Sequence, residues 1–421
     1  MMNENLAEAI KLIEEGHHEE GLKRIEKLEE KSDDETKRTI AELYFELGLV
    51  DRSVMIVEEL MFQYPDHGEL FAFAAECYSE LGKEDEAIEM LTSINLGDPA
   101  YIQAQLLLAD LYESQGLEEV AEKKLLDAIK NEPNNAVLQF GLGEFYLNRG
   151  DYQQSISYYK QAIHQGNLPK DLPIQPQLKL AEAFSITGQF EDALIYYREG
   201  LEDKENPDGL FGYGYTSLQV EDYETAVKTF VRLLEMDPDY TSVYPYLAKA
   251  YVAQKMLDQA TEILEEGIKK DEFNEELYLE LAKLQFSKGR YLEGKGFLEK
   301  VIALNPSNVS AVKELLIYFD NEEDYEGMLD LIRFLDDYGE YDPLYERFRG
   351  KALMEEDDVA GAVEAYEAAI ASLAHDESIL EEAALTFLAA GRKDKGIILL
   401  EELLTLQPHR YDIEERLIEL K

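Results

Sequence analysis

Apolar residues in this chain follow helical spacing, and the helical stripes stay in phase over the whole length. Small residues recur about every 34 positions, at Gly21, Ser53, Ala87, Ala121, Ser155, Ala193, Ala226, Ala260, Gly294, Ala362 and Gly396, with Met328 at the one remaining place in the series. Twelve positions earlier stand Ala9, Ala41, Ala75, Ala109, Gly143, Ala181, Gly214, Ala248, Ala282, Leu316, Gly350 and Ala384. Four positions after each member of the first series comes a bulky residue, from Ile25, Val57 and Leu91 through Tyr159 and Tyr197 to Tyr366 and Leu400. Small beside large on one stripe predicts two helices per unit that cross closely where both carry small side chains. Between them, Gly16, Gly48, Gly82, Gly116, Gly150, Gly188, Gly289 and Gly391 suit a left-handed residue ending the first helix. Pro65, Pro99, Pro133, Pro238, Pro306 and Pro408 mark the exit of the second.

Three columns held in phase across twelve units exclude a set of unrelated helical domains and predict one all-α repeat array. The pattern resembles the tetratricopeptide repeat (TPR), as in Ala109, Tyr112, Gly116, Ala121, Ala128 and Pro133, or Ala41, Tyr44, Gly48, Leu60 and Pro65. The resemblance covers residues 4 to 410. It implies a right-handed α-solenoid of about twelve helix-turn-helix repeats whose first helices line a concave groove, with recognition of peptides or partner proteins as the usual role. Residues 411–421 then form a polar capping helix. The repeat style and the opening Met2, Asn3, Glu4, Asn5 and Leu6 also resemble the cytoplasmic YpiA-type repeat proteins of Gram-positive bacteria.

The array departs from itself twice. Four extra residues and Pro169, Pro173 and Pro176 interrupt the run from Gly166 to Gln177, where helix does not continue. The run is either a longer surface loop or a joint, and the second reading divides the chain into 1–168, 169–410 and the cap at 411–421. In the tenth repeat Leu316 and Met328 replace both small residues, which predicts a wider crossing, absorbed by repacking or marking a partner contact.

Charge then narrows the function. With 90 acidic against 40 basic residues and a formal charge of -50, the chain repels nucleic acid and anionic lipid and attracts basic partners. The opening residues form no apolar targeting segment, and one cysteine, Cys77, provides neither a disulfide framework nor a cysteine zinc site; both features fit a cytoplasmic protein. Catalytic motifs are absent. Gly141-Leu142-Gly143 and Gly212-Tyr213-Gly214 have neither the preceding strand nor the following Gly-Lys of a phosphate loop. His17 and His18 lack the i, i+4 spacing of helical metal ligands, and His67, His164, His375 and His409 are scattered. No enzyme activity, cofactor or metal is expected.

By the geometry the resemblance implies, the residue after each first-helix small position points into the groove. That column reads Glu42, Glu76, Asp110, Glu144 and Glu182, then Tyr215, Lys249, Lys283, Ile317 and Lys351. The acidic ladder suits a basic peptide or protein face, with a solvated acidic surface as its bland alternative; the later lysines suit an acidic segment. The ladder also replaces the Lys and Asn clamp by which some family members grip a C-terminal carboxylate. Phe211, Tyr213, Tyr215, Tyr244, Tyr246 and Tyr251 are either a second binding patch or core. The expected function is a non-enzymatic scaffold or adaptor. The alternative is a regulatory sensor whose superhelix changes shape on peptide or signal binding. The oligomeric state is not encoded in any of these features.

Overall fold

The computed structural model describes residues 2–29, 31–169, 175–373 and 376–421. Pro173 and His375 therefore lie outside the described residues, as does part of the proline-rich run. Among the described residues there are twenty-five α-helices, from α1 (Met2–Glu14) to α25 (Tyr411–Leu420), and no strand. Odd-numbered helices are the first members of twelve hairpins, and α25 follows as a cap. Several starts have a local cause. Asn135, Asn274 and Asn308 lie just after the inter-repeat turns, where their side chains accept the first free backbone N–H groups of α9 (Ala136–Asn148), α17 (Glu275–Ser287) and α19 (Val309–Asn321). Asp222, Asp324 and Asp358 do the same for second helices.

Every residue of the small and bulky columns is buried. The crossing is close enough for the side-chain position of one helix to meet the backbone of the other. Ser53 Oγ donates to the Ala41 carbonyl oxygen at 2.8 Å, joining the two small positions of one repeat. A Cβ on Gly21 would stand 2.9 Å from the Ala9 carbonyl oxygen. Where the bulky position holds tyrosine, two repeats make room with glycine: a Cβ on Gly143 would lie 2.5 Å from the Tyr159 ring, and one on Gly350 2.7 Å from that of Tyr366. In the tenth repeat Leu316 and Met328 are fully buried, and α19 and α20 (Tyr325–Tyr338) approach less closely than the other complete hairpins after Ser217. The large side chains hold that crossing open, as their volume requires.

First helices end in a Schellman motif. At Gly82, φ is 69°, its N–H bonds the Ser79 carbonyl at 2.9 Å, and the Lys83 N–H reaches back to Tyr78 at 2.8 Å. All eight glycines of that column have positive φ, and Glu221, Lys255, Glu323 and Asp357 occupy the same position in the remaining repeats with φ of 62°, 62°, 55° and 63°. The repeat imposes the left-handed turn whatever the side chain.

The chain forms two compact units, Met1–Thr216 and Ser217–Lys421, with the division inside α13 (Pro207–Gln219). Within each unit some consecutive first helices touch one another as well as their hairpin partners, while consecutive second helices are not in comparable contact among the described residues. At the end of the second unit, Ile413 and Leu417 of α25 close the last cluster against Leu399, Leu400 and Leu403. No helix among the described residues is long and apolar enough to cross a membrane.

Candidate functional site: the first-helix wall

In the first unit the wall is built from α3 (Asp34–Glu46), α5 (Gly68–Glu80), α7 (Tyr101–Ser114), α9 and α11 (Pro176–Ile186). The small residue of each is buried, so the residue that follows is carried to the wall. Glu42 is exposed and bonded by Arg38 Nε at 3.1 Å, while Arg38 Nη1 reaches Glu69 on α5 at 2.8 Å. Glu76 is half-buried and accepts from Gln103 Nε2 at 2.9 Å. Burial pushes its carboxyl above the ordinary range, against the lowering effect of that bond. Glu144 accepts the Tyr159 hydroxyl and lies 3.5 Å from Lys179 Nζ, which also stands 3.4 Å from Glu182. Cations thus close the row at both ends.

Asp110 stands in the middle and has no ion pair among the described residues. Its side chain keeps contact with water, yet the wall displaces enough of its hydration shell to push the carboxyl up to about 6, with Glu113 and Glu144 adding repulsion.

Glu42 and Glu76 come together around an open recess of ≈ 510 Å³, which Arg38, Phe45, Glu69 and Phe73 also line. Phe45 and Phe73 meet edge to face at 5.6 Å and form an apolar floor beneath the carboxylates. The recess thus combines an aromatic pair with carboxylates, of which Glu42 and Glu69 are already bonded by Arg38 and Glu76 is not. The aromatic floor and the two end cations were not singled out in the sequence. Phe45 and Phe73 lie four after and two before their small residues, offsets that reach the same recess only because neighbouring first helices stack.

The second column behaves differently. Tyr215 is half-buried and stacks with Phe211 at 6.4 Å. In the second unit Lys249, on α15 (Val243–Ala253), lies 2.8 Å from Glu276 and 3.9 Å from Glu280, with its Nζ 5.1 Å from the Tyr246 ring centroid. Burial works to lower its pKa, but the bond to Glu276 and the Glu280 charge outweigh it and raise it. Lys283 lies 2.9 Å from Glu280, and Lys351, on α21 (Pro343–Glu355), lies 2.5 Å from Asp320. Ile317 remains exposed. Each of the three lysines already faces a carboxylate of its own unit. Of the remaining aromatics, Tyr244 is fully buried and Phe211, Tyr213, Tyr246 and Tyr251 are half-buried.

Stacked two-helix repeats with a small-residue crossing, a left-handed turn and a first-helix wall define a tetratricopeptide-repeat solenoid. Tetratricopeptide-repeat models match residues 217–275, 275–308 and 349–411, and a model described as YpiA-like, tetratricopeptide repeats, matches residues 113–167. The chain belongs to the YpiA-type tetratricopeptide-repeat proteins: it is 36% identical over 420 residues to the TPR repeat-containing protein YpiA of Bacillus subtilis (strain 168), covering 100% of this chain and 99% of that one. Among solved structures, YrrB, described as a TPR protein with an unusual peptide-binding site, aligns with 14% identity over 45% of this chain and 96% of its own, at a TM-score of 0.39. MamA from Desulfovibrio magneticus RS-1 aligns with 18% identity over 41% and 97%, at a TM-score of 0.38.

Proposed function

We propose that this TPR protein is a non-enzymatic cytoplasmic adaptor that holds a Lys- or Arg-rich segment of a partner protein against the first-helix wall of its first unit. The observation that carries this reading is the central, cation-free part of the row. Asp110 is poorly solvated and repelled by its neighbours, and Glu76 is desolvated beside it. Carboxylates so placed gain most from a cation supplied by a ligand, because the pair forms where water is already partly excluded. The lysines of the second unit, already paired, offer no equivalent demand for an acidic ligand.

The test uses a fluorescein-labelled nonapeptide of alternating Lys and Ala, read by anisotropy at low ionic strength. The wild type binds it, affinity falls with added salt, and a variant with Glu42, Glu76, Asp110, Glu144 and Glu182 changed to Gln binds at least about tenfold more weakly. A control removes the same number of exposed second-helix carboxylates, including Glu89, Glu119 and Glu191. Equal loss in both variants reduces the effect to net charge and overturns the assignment of the wall.

A further inference from the structure

An opening lies where the ninth and tenth repeats meet in the second unit, and no other feature described above explains it. Tyr291 begins α18 (Tyr291–Leu304) and is 55% exposed. Its aromatic equivalents in other repeats, Tyr152, Phe190, Tyr223 and Tyr325, are all half-buried. Beside Tyr291 lies a recess of ≈ 400 Å³ lined by Phe286, Ile317 and Tyr318, with Glu314 and Glu322 also contributing to its wall. The ring of Phe286 is 6.3 Å from that of Tyr291 and 6.1 Å from that of Tyr318, and Ile317 is 37% exposed. The α19 side of the recess is formed by Glu314, Ile317, Tyr318, Asn321 and Glu322, on the helix that also carries Leu316. Neither Glu314 nor Glu322 makes an ion pair among the described residues, and both are exposed.

We propose that this recess is a docking site for a partner polypeptide that presents one large aliphatic or aromatic side chain flanked by Lys or Arg. The four apolar residues form a concave surface at the turn edge of the repeat, suited to a single anchor side chain. The two unpaired carboxylates select a cation next to that anchor. A second copy of this chain is a poor occupant, because a formal charge of -50 on each molecule opposes association. The site lies wholly within the second unit and is independent of the acidic wall of the first.

The probe is acetyl-Lys-Phe-Lys-amide, titrated into the full chain carrying 13C-methyl isoleucine, with the Ile317 signal identified through Ile317→Val. The expected result is a saturable shift of the Ile317 methyl. Acetyl-Lys-Ser-Lys-amide should bind about tenfold more weakly, as loss of a buried aromatic anchor requires. Joint Glu314→Gln and Glu322→Gln substitution, on exposed positions that do not threaten folding, should weaken the Lys-Phe-Lys probe and leave acetyl-Ser-Phe-Ser-amide unchanged. The wall variant of the first unit should retain the shift, which separates this site from the adaptor reading. Absence of a saturable Ile317 shift, or equal binding of the Phe and Ser probes, overturns the proposal.

Discussion

Replacing Asp110 by Asn tests the wall through stability rather than through a ligand. The carboxyl titrates at about 6 in the folded chain against 3.8 for an unperturbed aspartate. A rise of about two pH units corresponds to roughly 3 kcal/mol of unfavourable charge in the native state. Asp110 keeps contact with water, so screening reduces the realistic figure to about 1 kcal/mol. The sign follows from linkage. The folded state binds the proton more tightly, so the penalty is absent below the unfolded pKa, grows as pH rises toward the folded value, and is complete above it. Asp110→Asn should therefore stabilise the first unit by about 1 kcal/mol near pH 7.5, and by about half of that near pH 5.

With no tryptophan in the chain, the assay is urea unfolding followed by far-ultraviolet circular dichroism, joined to hydrogen exchange of the α7 and α9 amides. Exchange is the more telling readout, because a repeat array unfolds by neighbouring units and a local gain is diluted in a global transition. A variant that exchanges faster than wild type near pH 7.5, or whose gain persists undiminished near pH 5, refutes the argument. The same substitution should weaken binding of the Lys-rich probe, so stability and affinity move in opposite directions.

The left-handed turns allow a second test: Lys255→Gly or Glu323→Gly should raise stability by about 1 kcal/mol, since an L side chain is disfavoured there, with a smaller gain at Asp357, a residue type that tolerates the conformation. Urea midpoints measure this, and a lower midpoint for Glu323→Gly would contradict the shared turn geometry. Gly143→Ala should cost about 1–3 kcal/mol by driving a methyl into the Tyr159 ring, and Tyr159→Leu should recover much of that loss, as the Ala109 and Leu125 pair of the preceding repeat suggests. If the double variant is no better than Gly143→Ala alone, the volume argument fails.

The helical hairpins were legible because each rests on a short-range constraint repeated many times. A small residue at a crossing, a bulky one a turn later and a glycine at the turn each carry modest information; their common phase identifies the fold. What escaped was set by neighbours outside the repeat's own register. Glu221, Lys255, Glu323 and Asp357 do not look like left-handed residues, and the period alone locates them, because the two helices they join dictate the backbone. The wall column was readable in the same way, as one position after each buried small residue. Its electrostatics were not. Arg38 pairs with Glu42 and Lys179 with Glu182 on their own helices, at offsets outside the column, whereas the approach of Lys179 to Glu144 depends on how α11 stacks on α9. A column of acids read from sequence is therefore a set of equal candidates. The folded chain distinguishes them: Glu42, Glu144 and Glu182 face basic residues of their own unit, while Glu76 and Asp110 do not, and the unpaired middle of the row is where a ligand cation has most to gain.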